Sequence, residues 1–284
     1  MKLVRIFVFF FLAAALLFSS AGPVSAVEKP RIQNMPGFQS VITANLSAAH
    51  QFLAISKSNP APGKIGSQAK KPAAKAQKVA YITFDDGPNR YTSQILTILK
   101  NKKVKATFFA VEPNIKAYKT SMIRVNREGH YIGLHSVTHN ATKVYKGSSI
   151  NVAKEMETTR KTLNSVVKVN HYLVRVPYGS KPYMKKPFRD WLVKYKFKMW
   201  DWTIDTNDWR YKTSQYTSII NNVKTAVPKV EKQKKPIIIL MHERPQTVKA
   251  LPQIIDYLKG RGYTLVPYHP KQHVVSNFWG DGRL

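Results

Sequence analysis

The chain has 284 residues, of which 43% are hydrophobic, and it carries a formal net charge of +31 at pH 7 with no cysteine. This length and composition allow one large domain with an appendage, whereas the lack of cysteine excludes disulfide bonds, a cysteine nucleophile and cysteine ligands to a metal ion. The charge predicts attraction to polyanions, for which anionic cell-wall polymers or a membrane surface are the expected partners.

Residues 1–26 have the pattern of a secretory signal peptide. Lys2 and Arg5 precede an apolar run over 6–18, and residues 24–26 (Val-Ser-Ala) form a small-x-small end. We therefore expect cleavage after residue 26 and a secreted, cell-wall-associated protein. The alternative is an uncleaved membrane anchor, but the apolar run is shorter than the roughly 20 residues that a spanning helix needs.

Residues 27–78 form an N-terminal segment and a basic linker. Apolar periodicity over 41–55 predicts a short helix, to which we assign no function. Residues 59–77 consist mainly of Asn, Pro, Ala, Gly, Ser, Gln and Lys, a composition that cannot bury enough apolar surface to fold. The lysines of this linker would either hold the protein near an anionic surface or only solvate a tether.

From residue 79 to residue 284, strand-like and helix-like segments alternate. Apolar runs rich in β-branched residues predict strands at 79–84, 106–111, 131–134, 172–176, 198–204, 236–241 and 264–267. Amphipathic segments such as 91–102, 148–167 and 248–259 predict helices. Repeated strand–helix units indicate an α/β fold with a parallel sheet, and about seven strands are enough to curl into a barrel.

Two adjacent carboxylates follow the first predicted strand. Asp85 and Asp86 lie between its apolar run and the breaker Gly87-Pro88. The pleat relaxes at the end of a strand, so both side chains can approach one pocket. Two carboxylates at such a short distance repel each other unless a cation or a shared proton lies between them. This suggests that one is a metal ligand and the other a proton acceptor. An acidic turn is the alternative, and for this segment alone it is the preferred interpretation.

Two histidines, His135 and His139, follow the third predicted strand. A spacing of four residues is about one helical turn, so both rings can face a common point. With Asp86 they would provide two nitrogens and one oxygen, a ligand set suited to a catalytic zinc that keeps one position open for water. The pair by itself is a weak signal, because histidines at this spacing are more often incidental.

Five separated segments together resemble the polysaccharide deacetylases of the NodB-homology type, carbohydrate esterase family four. In the family's order they are 83–88 (TFDDGP), 135–139 (HSVTH), 175–179 (RVPYG), 205–209 (DTNDW) and 240–242 (LMH). The resemblance implies a distorted (β/α) barrel, with 79–284 as the catalytic domain. Each segment falls at or just after the C-terminal end of a predicted strand, where barrel enzymes build their sites. The last histidine is usually followed by aspartate in the family, and Glu243 stands there.

The resemblance implies a role for the central residues. Asp86, His135 and His139 would bind the metal ion, with Zn²⁺ as the expected cofactor and other divalent metals as alternatives. Asp85 would be the general base, and His242 would be the general acid that protonates the leaving nitrogen.

Supporting groups follow from the same resemblance. Arg175 would hold Asp85 by a charge-assisted hydrogen bond, which is equally a structural salt bridge. Asp208, and with it Asp205, would orient His242, although both aspartates would also fit as turn caps.

Four further residues are predicted at the substrate groove. The backbone amide of Tyr178 would help to stabilise the oxyanion. Trp209 and Leu240 would line the groove, with a place in the core as the alternative for each. Pro177 matches a proline that is hydroxylated at Cα in some relatives.

The predicted activity is hydrolysis of the N-acetyl group of N-acetylglucosamine residues in peptidoglycan or chitin-like polymers, with peptidoglycan favoured because the positive charge suits an anionic wall. Alternatives are xylan O-deacetylation, a catalytically silent wall-glycan binding protein on the same fold, and a non-haem iron oxygenase, which also uses two histidines and one carboxylate. A polyanion-binding protein is a further alternative. No nucleic-acid-binding motif is present, so we expect no specific nucleic-acid partner.

Overall fold

The computed structural model describes residues 78–284. The predicted signal peptide, the predicted helix at 41–55 and the predicted linker at 59–77 lie outside the described residues. None of the helices in residues 78–284 combines the length and the hydrophobicity needed to span a bilayer.

Strands and helices alternate along the described chain. The strands are β1 (Lys78–Gly87), β2 (Thr107–Ala110), β3 (Tyr131–Leu134), β4 (Leu173–Val174), β5 (Lys198–Met199), β6 (Ile204–Asp205), β7 (Ile237–His242) and β8 (Tyr263–Leu265). The α-helices are α1 (Thr92–Asn101), α2 (Glu112–Ala117), α3 (Lys119–Arg127), α4 (Ala141–Tyr145), α5 (Ile150–Val167), α6 (Lys186–Lys194), α7 (Tyr216–Lys232) and α8 (Pro245–Gly260). Short 3₁₀ turns occupy Asp208–Arg210, Thr213–Gln215 and Pro270–Gln272.

The sheet is parallel throughout. Its strand order is β5-β4-β3-β2-β1-β7-β6, and β8 pairs with the N-terminal end of β1. The first and longest strand is therefore central, with β2 and β7 on its two sides. This curled parallel sheet with helices packed on it confirms the predicted distorted (β/α) barrel.

The prediction of one continuous strand over 198–204 was wrong. This segment supplies both β5 and β6, which stand at opposite ends of the strand order. Between them the N–H of Trp200 donates to the carbonyl of Val174 at 2.9 Å, and the N–H of Thr203 donates to the carbonyl of Ile238 at 2.9 Å. The backbone therefore changes partners in the middle of an apolar run and bridges the two edges of the curled sheet.

Alternation along β1 decides which side chains enter the barrel. Ile82 and Phe84 are buried in the large cluster between the sheet and the helices. Tyr81 belongs to a second, smaller cluster with residues of the other strands. Because strand side chains alternate between the two faces, Thr83 and Asp85 follow Tyr81 on the inner face. The inner face thus carries an aromatic core at its base and a carboxylate at its C-terminal end.

Candidate active site

Five strands deliver polar side chains to the same end of the barrel. Asp85 and Asp86 lie at the end of β1, His135 follows β3, Arg175 follows β4, Asp205 ends β6 and His242 ends β7. At this end lies a cavity of about 400 Å³, lined by Asp85, His135, His139, Val176, Tyr178, Trp202, Asp205, Trp209, Leu240 and His242. The carboxyl ends of parallel strands meet at one edge, which explains why residues far apart in sequence converge here.

A β-bulge brings both aspartates to this end. Asp85 pairs with Phe109 and Gly87 pairs with Ala110, so Asp86 is left out of the register. Asp86 has a φ of 68°, which lies in the left-handed region. A bulge re-aims one side chain without ending the strand. Two neighbouring carboxylates can therefore serve one site instead of opposite faces of the sheet.

The two histidines lie on the loop after β3 and not on a helical turn, although their rings do face a common point. Ser136 and His139 have φ values of 71° and 44°, and the backbone N–H of His139 donates to Ser136 Oγ at 3.1 Å. The carboxylate of Glu155 in α5 accepts two further N–H groups of this loop, at 3.0 and 2.9 Å. A tightly bonded loop therefore orients both rings.

Asp86, His135 and His139 have the geometry of a metal site. Oδ1 of Asp86 lies 3.4 Å from His135 Nε2 and 3.1 Å from His139 Nε2. The Nδ1–H of His135 donates to the carbonyl of Arg175 at 2.6 Å, so Nε2 of the neutral ring carries a lone pair that faces the carboxylate. Oδ1 is buried and accepts no well-formed hydrogen bond from residues 78–284. The lone pair of Nε2 and the carboxylate oxygen repel each other, and a cation between the three atoms would remove this repulsion. Two nitrogens with one carboxylate suit a catalytic metal ion.

The charge states fit the same arrangement. Burial raises the pKa of Asp86, but the neighbouring His135 and His139 outweigh burial and hold it far below its usual range. Burial lowers the pKa of His139, and here Asp86 reverses the effect and raises it. Asp86 is therefore an anion across the physiological pH range, as a metal ligand must be.

Arg175 holds Asp85 from inside the barrel. The guanidinium is fully buried, and its Nη1 lies 2.8 Å from Asp85 Oδ1 and donates to Thr83 Oγ1 at 2.6 Å. Nε and Nη2 donate to the backbone carbonyls of Trp200 and Asp201, at 3.1 Å each. A buried ion pair is tolerated when its remaining donors are satisfied, as they are here. The result is a carboxylate fixed at the wall of the cavity.

His242 is held by Asp208, which is fully buried. The ring Nδ1–H donates to Asp208 Oδ1 at 2.7 Å, while the backbone N–H of His242 and the hydroxyl of Thr247 both donate to Oδ2 at 2.6 Å. Burial would lower the pKa of His242, but Asp208, followed by Asp85 and Asp86, raises it to about 9. The ring is therefore protonated at neutral pH, and its Nε2 lies 3.8 Å from Asp86 Oδ2.

Asp205 lies in the cavity wall without a direct hydrogen bond to His242 in the described part of the chain. Its carboxylate accepts the N–H of Asn207 at 2.7 Å. Burial raises the pKa of Asp205, and the nearby Asp208 adds to this effect. Of the two aspartates predicted to orient His242, Asp208 alone forms a hydrogen bond with the ring within residues 78–284.

The residues predicted at the groove occupy different positions. Tyr178 and Trp209 are 53% and 48% exposed and stand at the rim of the cavity, whereas Leu240 is buried in its wall. The hydroxyl of Tyr178 also donates to the carbonyl of His139 at 2.8 Å. Pro177 is buried and does not line this cavity; its carbonyl accepts the hydroxyl of Tyr145 at 2.7 Å.

Sequence reasoning missed several residues of the site. Trp202, which lies in the segment predicted as one strand at 198–204, lines the cavity. Thr83 and Asp201 complete the hydrogen bonds of Arg175, and Thr247 completes those of Asp208. Alternation along β1 could have indicated Thr83, because it shares the inner face with Asp85. The others contact the site through tertiary structure alone.

Comparisons with known proteins agree with one another. The family model described as polysaccharide deacetylase matches residues 73–200. A peptidoglycan-N-acetylglucosamine deacetylase of Bacillus cereus is 42% identical over 216 residues, which cover 74% of this chain and 76% of that protein. The crystal structure of the polysaccharide deacetylase Bc1974 from Bacillus cereus is similar with a TM-score of 0.69 at 41% identity, over 73% of this chain and 100% of that one. The catalytic domain of peptidoglycan N-acetylglucosamine deacetylase from Eubacterium rectale has a TM-score of 0.60 at 26% identity, over 73% and 100% of the two chains.

Proposed function

This chain belongs to the polysaccharide deacetylase family, and from that premise we propose that it is a secreted, metal-dependent hydrolase of N-acetyl groups. Its substrate is the N-acetylglucosamine of peptidoglycan, and its products are acetate and a free amino sugar. The proposal is supported most by the convergence of Asp86, His135 and His139. The two histidines also line one cavity together with Asp85 and His242. One cavity thereby presents two of the three ligands, a carboxylate and a protonated imidazole, and the third ligand lies 3.1 Å from His139 Nε2.

The ligand set supplies electrophilic assistance. A divalent ion such as Zn²⁺, bound by Asp86, His135 and His139, would polarise the acetyl carbonyl and lower the pKa of a water molecule. His135 is restricted to one tautomer by its hydrogen bond to the Arg175 carbonyl, so its Nε2 is available as a ligand. Asp86 contributes the negative charge of the set.

Asp85 serves as the general base. Its Oδ1 is paired with Arg175, and its Oδ2 lies 3.8 Å from His135 Nε2, on the side of the ligand set. The attacking water gives its proton to Asp85 while its oxygen forms a bond to the acetyl carbon. The pairing with Arg175 keeps the carboxylate in place while it receives the proton.

His242 serves as the general acid. Its Nε2 faces the cavity and carries a proton at neutral pH, because Asp208 stabilises the imidazolium. As the bond between the acetyl carbon and the nitrogen breaks, this proton moves to the nitrogen, and the amine leaves. A neutral ring could not supply this proton.

The rim of the cavity accommodates the sugar and the developing oxyanion. The N–H of Tyr178 donates to no acceptor in residues 78–284, and the residue adopts a φ of 66° beside the ligand set. A preorganised N–H of this kind stabilises an oxyanion. Trp209 offers an exposed aromatic face, and Leu240 with Trp202 supplies an apolar surface for the acetyl methyl group.

The test of this proposal is acetate release by the zinc-loaded protein from N-acetylglucosamine oligomers and from purified peptidoglycan. We expect acetate in amounts equal to the free amines formed, and loss of at least about 100-fold in kcat for Asp85→Asn. Release from acetylated xylan alone would move the function to O-deacetylation. Binding of glycans without any acetate release would identify a catalytically silent binding protein.

Export is a separate part of the proposal. It is supported by the charged and apolar pattern of residues 1–26, which end in a small-x-small sequence. Mass spectrometry of the protein recovered from a culture should find an N-terminus at Val27. Recovery of the full-length chain from the membrane fraction would instead indicate an uncleaved anchor.

A further inference from the structure

A second cavity lies beside the catalytic one. Its volume is about 440 Å³, and Asp86 and His242 line it together with Arg90, Glu243 and Arg244. His242 lines both cavities, so the two meet at the proposed general acid. The roles assigned from the sequence do not account for the presence of the two arginines at this place.

Both arginines are exposed and unpaired. Arg90 and Arg244 form no ion pair with a carboxylate of residues 78–284. Their surroundings differ from those of Arg189 and Arg283, which are both paired with Asp281. Two free guanidinium groups at the mouth of one cavity are available to an external anion, which they can bind by charge-assisted hydrogen bonds.

The backbone segments that carry the two arginines are hydrogen-bonded to each other through the neighbouring residues. Asn89, next to Arg90, donates from its side-chain amide to the backbone carbonyl of Glu243 at 2.9 Å, and Glu243 precedes Arg244. The Asn89 side chain also accepts the N–H of Tyr91 at 2.8 Å. The guanidinium of Arg90 lies over the ring of Tyr91 at 4.9 Å, which leaves its N–H edges free.

The two acidic residues of the cavity do not cancel this positive charge. Asp86 interacts with the two histidines of the ligand set, since its Oδ1 lies 3.1 Å from His139 Nε2 and 3.4 Å from His135 Nε2. Glu243 is 3% exposed, and its Oε2 accepts hydrogen bonds from the Thr92 hydroxyl and the Asn89 N–H inside the protein. The groups that an incoming ligand meets first are therefore Arg90 and Arg244.

We propose that Arg90 and Arg244 form a subsite for a carboxylate carried by the substrate strand next to the sugar that is deacetylated. The inference rests on the proposed function, because His242 donates its proton to the amine at the junction of the two cavities. In peptidoglycan, every second sugar carries a lactyl ether, whose carboxylate is either free or extended by a peptide with carboxylates of its own. A chitin-like polymer has no such group. The subsite therefore selects a carboxylate-bearing glycan over a neutral one.

The first experiment compares kcat/KM of the zinc-loaded enzyme on three oligomers of equal length. These are a peptide-free peptidoglycan strand, the same strand with its lactyl carboxylates converted to amides, and neutral N-acetylglucosamine oligomers. We expect the wild type to prefer the first by about tenfold or more over the other two. In Arg90→Gln/Arg244→Gln this preference should fall to about one, mainly through KM. A strand that keeps its peptides shows whether the lactyl or a peptide carboxylate is bound.

The matched control removes two charges from the opposite end of the barrel. Arg127 and Lys232 end α3 and α7, which lead into the N-terminal ends of β3 and β7, and both are exposed. Arg127→Gln/Lys232→Gln should keep the wild-type preference. If this control also lost the preference for the carboxylate strand, the preference would depend only on the net charge of the protein, and the proposed subsite would be wrong. Equal kcat/KM of the wild type on charged and amidated strands would overturn it too.

A binding measurement separates this inference from the proposed reaction. Calorimetry with Asp85→Asn should give tighter binding of the carboxylate strand than of its amide, and Arg90→Gln/Arg244→Gln in the same background should remove the difference. If no oligomer releases acetate but this difference is found, the reaction is wrong and the subsite stands. If acetate is released but charged and amidated strands bind alike, the subsite is wrong and the reaction stands.

Discussion

Asp208 is a buried carboxylate whose acceptor positions are used by the residues around it. One oxygen accepts the ring N–H of His242, and the other accepts a backbone N–H and the hydroxyl of Thr247. These bonds fix both the tautomer and the direction of the imidazole. They also raise the pKa of His242 to about 9, despite the opposing effect of burial. The acid function of His242 therefore depends on Asp208.

We predict that Asp208→Asn lowers kcat by about 100-fold and moves its alkaline limb to lower pH. Removal of the anion destabilises the imidazolium, so the pKa of His242 falls and the proton is lost earlier as pH rises. A shift of at least about one pH unit is expected, and a pH profile of acetate release measures it. Asp190→Asn, at an exposed ion pair with Lys186, should leave the profile unchanged. An unshifted limb in Asp208→Asn would contradict the assignment of His242.

Gly87 has no space for a side chain. A Cβ atom at this position would lie 1.8 Å from Oε1 of Glu243. Glu243 cannot move away easily, because it is buried and its other carboxyl oxygen is bonded to Thr92 and Asn89. Burial raises the pKa of Glu243 to about 7. The end of β1, with its two catalytic carboxylates, therefore packs directly on the residue after His242.

Gly87→Ala should destabilise the protein by about 2 kcal/mol through overpacking and displace the neighbouring Asp86. Denaturant unfolding and metal affinity measure the two effects. Shortening the opposing side chain in Gly87→Ala/Glu243→Asp should recover part of the stability, as a double-mutant cycle would reveal. Gly260→Ala is the control, because a Cβ there meets nothing within 4 Å. Additive effects of the two substitutions would show that the contact does not constrain the site.

At the scale of the elements, the left-handed backbone conformations of non-glycine residues between 78 and 284 fall into two groups. One lies at the site, at Asp86 in the bulge of β1 and on loops at Ser136, His139, Tyr178 and Asn207. The other consists of lysines just after helices, at Lys103, Lys168, Lys196 and Lys234. In the first group the residues are proposed ligands (Asp86 and His139) or lie within the site loops (Ser136, Tyr178 and Asn207), whereas in the second group the conformation only ends a helix.

Lys103 and Lys196 end α1 and α6 in Schellman motifs. After α6, the N–H of Phe197 donates to the carbonyl of Leu192, and the N–H of Lys196 donates to that of Val193, at 2.9 Å each. The same pair of bonds ends α1 at Lys103. Glycine is the usual residue at this position because it has no Cβ to oppose a positive φ.

Lys103→Gly and Lys196→Gly should therefore each stabilise the protein by about 1 kcal/mol without affecting activity. Thermal unfolding of the double variant, with acetate release as the second measurement, tests this. Substitution of the same lysines by alanine keeps the Cβ and should give no gain. Destabilisation by glycine would mean that the lysine side chains contribute more than their conformations cost.

At the scale of the whole molecule, the ligand set links β1 to the loop after β3. The unfolded chain does not hold Asp86, His135 and His139 together, so an ion that binds them favours the folded state. At a concentration of 100 times Kd, this stabilisation is about 2.7 kcal/mol. The metal ion would thus act on stability as well as on chemistry.

We predict that a chelator lowers the melting temperature and abolishes acetate release, and that added Zn²⁺ restores both. His139→Ala should lose the metal-dependent rise in melting temperature, whereas His269→Ala, at an exposed histidine, should retain it. Calorimetric titration of the chelated protein provides an independent measure of metal affinity. If Zn²⁺ did not change the melting temperature of the wild type, this ligand set would be ruled out.

Much of this architecture could be predicted from the sequence because its signals are local. Apolar runs that alternate with amphipathic segments indicated a parallel sheet with enough strands to curl into a barrel, and the family resemblance implied the distorted barrel. The placement of Asp85, His135, Arg175 and His242 at or after strand-like runs indicated one end. Strand ends can be read from breakers such as Gly87-Pro88. Because the carboxyl ends of parallel strands lie at one edge of the sheet, the proximity of the residues there can be predicted once the strand ends are known.

Other features depend on contacts between distant segments. The sequence of residues 198–204 did not indicate that the backbone pairs first with β4 and then with β7, because both halves of the segment have a composition typical of strands. The bulge at Asp86 and the loop that orients His139 arise from register and from hydrogen bonds to other elements. The sequence by itself determined which chemical groups stand at the ends of which strands, since breakers and alternation act over a few residues. Only the tertiary structure decided how those groups face one another, and that Arg90 and Arg244 share a cavity, because such distances are set by packing between segments far apart in the chain.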